Sequence, residues 1–187
     1  MTRDLTGREL AEAVERAVPG AVEEVRPQWV VLSNEKLVEA VRALRDDEDL
    51  RLEQLSALTG VDYYTHFEVV YHLLSIRKNM SAVVKTLARD HENPVVPSLL
   101  PVYYGAHLQE REVYDLMGIR FEGHENLRRI LLYDGFPGYP LRKDWLNMPG
   151  DRNAGLPVMH GESRRDPPPV APVEGEPAPR KPRPFNL

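Results

Sequence analysis

Residues 109–124 read QEREVYDLMGIRFEGH and set Glu110, Arg111, Glu112 and Asp115 within six positions, followed by Gly118 and, six residues later, His124. Carboxylates, an arginine and a histidine at this density are the residue types of general acid and base catalysis, where one positioned group gives a proton and another takes one. Spacing decides whether they can converge. At about 100° per residue, Glu110 and Glu112 lie about 160° apart on a helix and point to different flanks, so they form no paired-carboxylate site. Asp115 lies four residues after Arg111 and three after Glu112, which predicts an ionic cluster on the polar side of a helix whose opposite side carries Val113, Leu116 and Met117. An exposed ion pair of that kind contributes about 0–1 kcal/mol. The pattern suits a solvated face or a face read by another macromolecule.

Other catalytic constellations are absent from the sequence. The six histidines (His66, His72, His91, His107, His124 and His160) show no HxxxH, HExxH or facial-triad spacing, and His66 and His72 are expected at the surface or at a sheet edge. No GxSxG, GxxxxGK[ST] or GxGxxG occurs. The chain has no cysteine, which excludes a disulfide framework, a thiolate nucleophile and cysteine-ligated zinc or iron–sulfur clusters of its own. The net charge is -5, and residues 1–55 hold 8 bases against 13 acids, so the whole imbalance sits in that third and repels nucleic acid.

The elements that must position these residues follow from periodicity. Leu10, Ala13, Val14 and Ala17 predict a helix over residues 5–18, ending at Pro19-Gly20. QWVVLS (28–33) reads as a strand, after which Asn34 is expected to cap a helix carrying Leu37, Val38, Val41 and Leu44 on one face. LRLEQLSALTGVDYY is ambiguous between helix and strand; FEVVYHLLSI and SAVVKTLAR, joined by RKN, read as a hairpin. Ser98 is expected as an N-cap, Gly105 as a break, residues 107–117 as a helix and Gly118 as its terminator. The segment LRRILLYDGFPGYPLRKDW mixes basic pairs, apolar anchors and turn formers, the composition of a recognition loop or of a loop closing a sheet. Beyond Pro149, 9 of the 17 prolines fall in the last 37 residues, and such a segment cannot form a core. The expected architecture is α+β: a two-layer domain over residues 1–149 with a small mixed, mostly antiparallel sheet packed against helices, and an extended Pro-rich tail over 150–187. No apolar run approaches the ~20 residues of a membrane-spanning helix. The amino terminus lacks the apolar stretch of a secretory signal, so the chain is expected to stay in the compartment where it is made.

EREVYDLMGIRFEGHENLRRILLYDGFPGYPLRKDW resembles the signature region of the 30 kDa subunit family of proton-pumping NADH:quinone oxidoreductase, respiratory complex I. In that family a helix reading ERE-x-(Y/W)-D ends at a glycine, an F-x-GH turn follows, then L-R/T-R-I-L and PLRKD. The likeness is specific over residues 108–145 and extends more weakly upstream through LTGVDYY and FEVVYHLLSI. Met117, Glu125 and Tyr139 depart from it, standing where an aromatic residue, proline and histidine are usual.

The resemblance implies a non-catalytic peripheral-arm subunit with no cofactor of its own, packed beside the 49 kDa-type subunit near the quinone site, with flavin mononucleotide and iron–sulfur clusters in its partners. It implies a hetero-oligomer bound peripherally on the cytoplasmic side of the bacterial cell membrane, with no span and no nucleic acid. It places Glu110, Arg111, Glu112, Asp115, His124, Arg128, Arg129, Arg142, Lys143 and Asp144 at a subunit interface and gives Gly118, Gly123 and Pro140 structural roles. A second reading in the same class is the homologous subunit of an energy-converting hydrogenase or a ferredoxin-fed quinone reductase. A different class, a stand-alone hydrolase, would use Glu112, Asp115 and His124. A nucleic-acid adaptor would depend on salt-sensitive binding by the tail.

Overall fold

The computed structural model describes residues 2–136 and 138–146; the expected boundary at 149, the Pro-rich tail and His160 lie outside them. In chain order the elements are β1 (Arg3–Asp4), α1 (Gly7–Ala17), β2 (Val22–Val25), β3 (Trp29–Leu32), a 3-10 turn (Asn34–Lys36), α2 (Leu37–Asp46), β4 (Gln54–Asp62), β5 (Phe67–Ser75), β6 (Met80–Ala88), β7 (Val95–Pro97), α3 (Ala106–Met117), β8 (Arg120–Glu122) and α4 (Lys143–Leu146). Six strands make one mixed sheet in the order β2-β3-β6-β5-β4, with β1 parallel to the start of β6. β3 runs parallel to β6, and the β2-β3, β5-β6 and β4-β5 pairs are antiparallel. β7 and β8 form a separate parallel pair. No described helix is long and apolar enough to cross a membrane.

Alternation sets the two layers. Phe67, Val69, Tyr71 and Leu73 of β5 pair with Ala88, Thr86, Val84 and Ala82 of β6, and all eight are buried on the face that carries the helices. The stretch that read ambiguously is β4. Its apolar Leu55 and Leu58 stand three apart, a helical interval, and a bulge between Leu55 and Ala57 still turns both inward opposite Leu73 and Tyr71. Further along β4, Gly60 leaves room for α3: a Cβ there would lie 2.6 Å from Met117 Sδ and 3.2 Å from Val113. β1, β2, β7 and β8 carry no periodic signal at two to four residues each and were not foreseen.

Two expected caps are corrected. Asn34 does not cap α2. Its amide bridges strands instead: Nδ2 donates to the Leu87 carbonyl at 2.9 Å and Oδ1 accepts from the buried Thr86 hydroxyl at 2.6 Å. Ser98 opens no helix either; its Oγ accepts from Leu100 N at 3.1 Å and donates to Glu110, stabilising a turn that delays α3 until Ala106. The carboxyl-terminal end of α3 is closed by Gly118 at φ 75°, the left-handed conformation that a residue without Cβ adopts without strain.

α1 opens with a capping box in which Thr6 and Glu9 satisfy each other's backbone amides. The residue after Thr6, Gly7, is pressed against the connection between β2 and β3. An added Cβ would fall 1.9 Å from the Arg26 carbonyl oxygen and 2.5 Å from that of Trp29. Gly7→Ala, which favours an isolated helix by about 1 kcal/mol, is therefore expected to destabilise this protein by about 1–3 kcal/mol through overpacking. Urea denaturation checks the sign, with Glu12→Gln on the exposed face staying within about 0.5 kcal/mol.

Candidate functional site

α3 spans the boundary between the sheet and the segment 127–141, and its charges point three ways. Glu110 is wholly buried beneath the helix, where Ser98 Oγ donates to Oε2 at 2.6 Å and Leu99 N to Oε1 at 2.7 Å. Burial raises its pKa to about 7, against the smaller lowering effect of those two donors. Glu112 is exposed. Asp115 is wholly buried again, on another side of the helix.

The surroundings of Asp115 correct the expected surface cluster. Its Oδ2 accepts from three consecutive amides, Ile130 N at 2.9 Å, Leu131 N at 2.7 Å and Leu132 N at 2.9 Å, while Oδ1 meets Arg129 Nη1 at 3.0 Å. Successive N–H groups converging on one oxygen form an anion nest, supplied here by the chain itself. Burial raises the pKa of Asp115, but the three amides and Arg129 outweigh it and hold the carboxyl below its ordinary range. Arg129 also reaches the carbonyls of Phe136 at 3.3 Å and Gly138 at 3.2 Å, and its guanidinium lies over Tyr139 at 5.4 Å. Arg111 turns away from Asp115 and donates to the carbonyls of Arg128 and Arg129, each at 3.1 Å. The hydrogen bonds thus bind residues 128–132 onto α3, and Arg129 ties Phe136 and Gly138 to the same cluster.

The closing PLRKD is held in the same manner. Arg142 Nε donates to the Met117 carbonyl at 2.7 Å, and its guanidinium lies 4.8 Å from the Tyr139 ring centre and 5.1 Å from that of Phe67. Lys143 N donates to Asp62 Oδ2 at 2.9 Å, and the other oxygen of Asp62 accepts from Tyr64 N at 2.7 Å and meets His91 Nε2 at 3.0 Å. Lys143 Nζ lies over the Tyr64 ring at 4.8 Å. Arg142 and Lys143, expected at a subunit interface, thus make these contacts within the chain. Tyr139 is pressed onto Gly118, where an added Cβ would lie 2.6 Å from the ring. Gly123 has φ 84° and open space around it; Pro140 is half-buried and Asp144 exposed.

His124 is committed to backbone on both nitrogens. Nδ1 accepts from Asn126 N at 3.1 Å and Nε2 lies 3.1 Å from the His107 carbonyl, a pairing that requires the proton on Nε2. Its ring stacks on His107 at 5.0 Å. With Asp115 enclosed, Glu112 on the outside and His124 tied to main chain, the structure does not bring the hydrolase trio together. Among the described residues no three His, Asp or Glu side chains group as a metal site.

Of the residues expected to face a partner, Glu110 and Asp115 are inside the chain, and Arg111, Arg129 and Arg142 each donate to carbonyls of this chain. Glu112, Arg128 and Asp144 face outward. The outward surface is apolar as well: Leu108 on α3 is 55% exposed, Leu131 61%, Tyr133 50% and Leu141 53%. Sequence reasoning took Leu131 and Leu141 as anchors and passed over Leu108. The wheel offers a signal for it: Leu108 lies about 160° from Glu110, on the flank opposite that buried carboxyl group, where an apolar side chain has no core to enter.

Residues 30–150 match the family described as the respiratory-chain NADH dehydrogenase 30 Kd subunit. The C subunits of NADH-quinone oxidoreductase from Burkholderia mallei strain SAVP1 and Burkholderia pseudomallei strain K96243 are each 43% identical over 133 residues, 66% of this chain and 66% of each relative. The match thus spans just under two thirds of those relatives' own length. Among solved structures, a chain of the membrane-bound sulfane sulfur reductase (MBS), an archaeal respiratory membrane complex, superposes with a TM-score of 0.61 at 28% identity, covering 74% of this chain and 84% of that one.

Replacing Asp115 by Asn leaves the half-buried Arg129 with an uncompensated charge and weakens three charge-assisted bonds. The expected cost is about 3–5 kcal/mol in urea denaturation, whereas Glu112→Gln on the outside stays within about 0.5 kcal/mol. Since the folded pKa of Asp115 is depressed, its contribution is complete above the ordinary aspartate pKa of about 3.9 and is lost as pH falls through the folded value. Equal stability of the two variants would contradict the nest.

Proposed function

The chain belongs to the family of the respiratory-chain NADH dehydrogenase 30 Kd subunit, and from that membership we propose that it serves as a non-catalytic subunit of the peripheral arm of NADH:quinone oxidoreductase. Its task is to scaffold the 49 kDa-type subunit near the quinone site of a complex that couples electron transfer from NADH to quinone with proton translocation. It holds no cofactor; flavin mononucleotide and iron–sulfur clusters reside in its partners, and it meets the cytoplasmic side of the bacterial membrane through them.

One observation carries this reading. The acidic signature helix directs Asp115 inward to fix a segment, and that segment presents Leu131, Tyr133 and Leu141 outward beside Leu108. Large apolar side chains held on a fixed backbone fit a permanent protein interface, where aromatic and aliphatic anchors are buried at the centre. A catalytic site would need reactive groups free to meet a substrate, and of the candidates Asp115 and His124 are occupied. The likeness to a chain of an archaeal respiratory complex supports a second reading, the equivalent subunit of a related membrane complex with another electron donor.

Purification of the tagged chain from its own cell membranes in mild detergent tests the proposal. Flavin mononucleotide, iron–sulfur proteins and NADH:quinone activity in the eluate are expected. A nickel-bearing or sulfur-reducing partner without NADH activity selects the second reading, and a free chain with no partners removes both. Leu131→Glu with Leu141→Glu is expected to abolish co-purification while shifting the urea midpoint of the isolated chain little, because both side chains already face water. Retained co-purification of that double variant would place the interface elsewhere.

A further inference from the structure

The turn between β4 and β5 displays two tyrosines. Tyr63 and Tyr64 are both exposed, and Tyr64 has φ 66°, a left-handed conformation that strains a residue carrying a Cβ. Asp62 holds the turn: its Oδ1 accepts from Tyr64 N at 2.7 Å and meets His91 Nε2 at 3.0 Å. Tyr63 N donates to the His66 carbonyl at 3.0 Å, and the Tyr63 ring stacks on that of His66 with centres 5.1 Å apart. Both tyrosines are thus fixed in one arrangement.

Lys143 completes the cluster. Its backbone N–H donates to Asp62 Oδ2 at 2.9 Å, and its ammonium lies 4.8 Å from the Tyr64 ring centre and 5.9 Å from that of Tyr63. Among the described residues this ammonium forms no ion pair. The acids beside it are engaged elsewhere. Burial raises the pKa of Asp62, but Lys143 N, Tyr64 N and His91 outweigh it and hold the carboxyl below its ordinary range, with both oxygens occupied. Asp144 turns its Oδ1 to Trp145 N at 2.8 Å. Ring faces attract a cation but accept no strong hydrogen bond, so the three N–H donors of Nζ remain for another group.

We propose that Lys143, on its platform of Tyr63 and Tyr64, is the docking point for one carboxylate, an aspartate or glutamate side chain of an adjoining protein subunit. This rests on the subunit reading and deepens it by naming the chemistry of the partner. Nζ supplies charge-assisted donors, and the rings beneath it exclude water from one side and strengthen the pair. Exposed tyrosines on a fixed backbone are the type that anchors protein interfaces. An anionic membrane or a nucleic acid would be met by several bases together, whereas the neighbour of Lys143 is the exposed acid Asp144, which suits a single localised carboxylate. Leu141, two residues before Lys143, brings the exposed apolar surface up to the platform.

Carbodiimide treatment of the complex that co-purifies with the tagged chain tests the proposal. The reagent joins an amine to a carboxylate in contact with it: an amide bond forms between Nζ and the carboxyl carbon, and the water lost is taken up by the carbodiimide as a urea. Mass spectrometry is expected to find Lys143 joined to an aspartate or glutamate of another polypeptide, and an amine-acylating reagent to modify Lys143 in the isolated chain but not in the complex. Lys143→Met, which keeps an apolar stem over the rings, is expected to leave the urea midpoint of the isolated chain in place and to lower partner recovery by about tenfold or more. Partners recovered with Lys143 joined to no other polypeptide overturn this proposal alone, as does full recovery with Lys143→Met. Lys143 joined to a lipid carboxylate overturns it in favour of a membrane contact. A chain recovered without partners overturns the subunit reading and this proposal together.

Discussion

The signature region depends on one carboxylate. Asp115 offers an oxygen to each of two demands, three consecutive amides on one side and the Arg129 guanidinium on the other. Without it, Ile130, Leu131 and Leu132 would bury N–H groups unpaired against α3, and Arg129 would carry an unmatched charge into a half-buried site. With it, residues 130–132, which lie in no helix or strand, are held against α3. Arg111, Arg129 and Arg142 then act as rivets, each donating to main-chain carbonyls that no strand or helix satisfies.

This arrangement reconciles a charged motif with an apolar surface. An ion pair on the outside of a helix contributes little, whereas a carboxylate enclosed with four donors fixes geometry. The charges in ERE-x-Y-D therefore serve order within the chain, and the surface left over is largely aliphatic and aromatic. Folding and recognition are linked through the same residue: Leu131 supplies its amide to Asp115 and its exposed side chain to the outside. The sheet beneath acts as the platform, with Gly60 thinned so that Met117 and Val113 can approach β4.

How much of this could be read beforehand depends on where the information lies. The β5-β6 hairpin, α1, α2 and the body of α3 are written in local periodicity and turn residues, and the mixed α+β architecture follows from them. β4 was obscured because its bulge replaces an interval of two by one of three, which imitates a helix. Glu110 was legible and was missed: on the wheel it lies within about 20° of Met117, at the edge of the apolar stripe, and only its charge argued for the surface. Asp115 was not legible from local pattern, since a segment 15 to 17 residues later buries it. The interaction of Lys143 with Asp62 spans 81 residues and has no local signature. Resemblance to the family located the region, while the direction in which each charge points came from the tertiary structure.

Native-state hydrogen exchange of the amides of Ile130, Leu131 and Leu132 tests the central claim most directly. These residues lie outside any helix or strand, so only the Asp115 carboxylate accounts for protection. All three are expected to exchange slowly in the native chain. In Asp115→Asn they should lose protection together, while the β5-β6 amides keep a greater share of theirs. Rapid exchange of the three amides in the native chain, or protection that survives the substitution unchanged, would contradict the account.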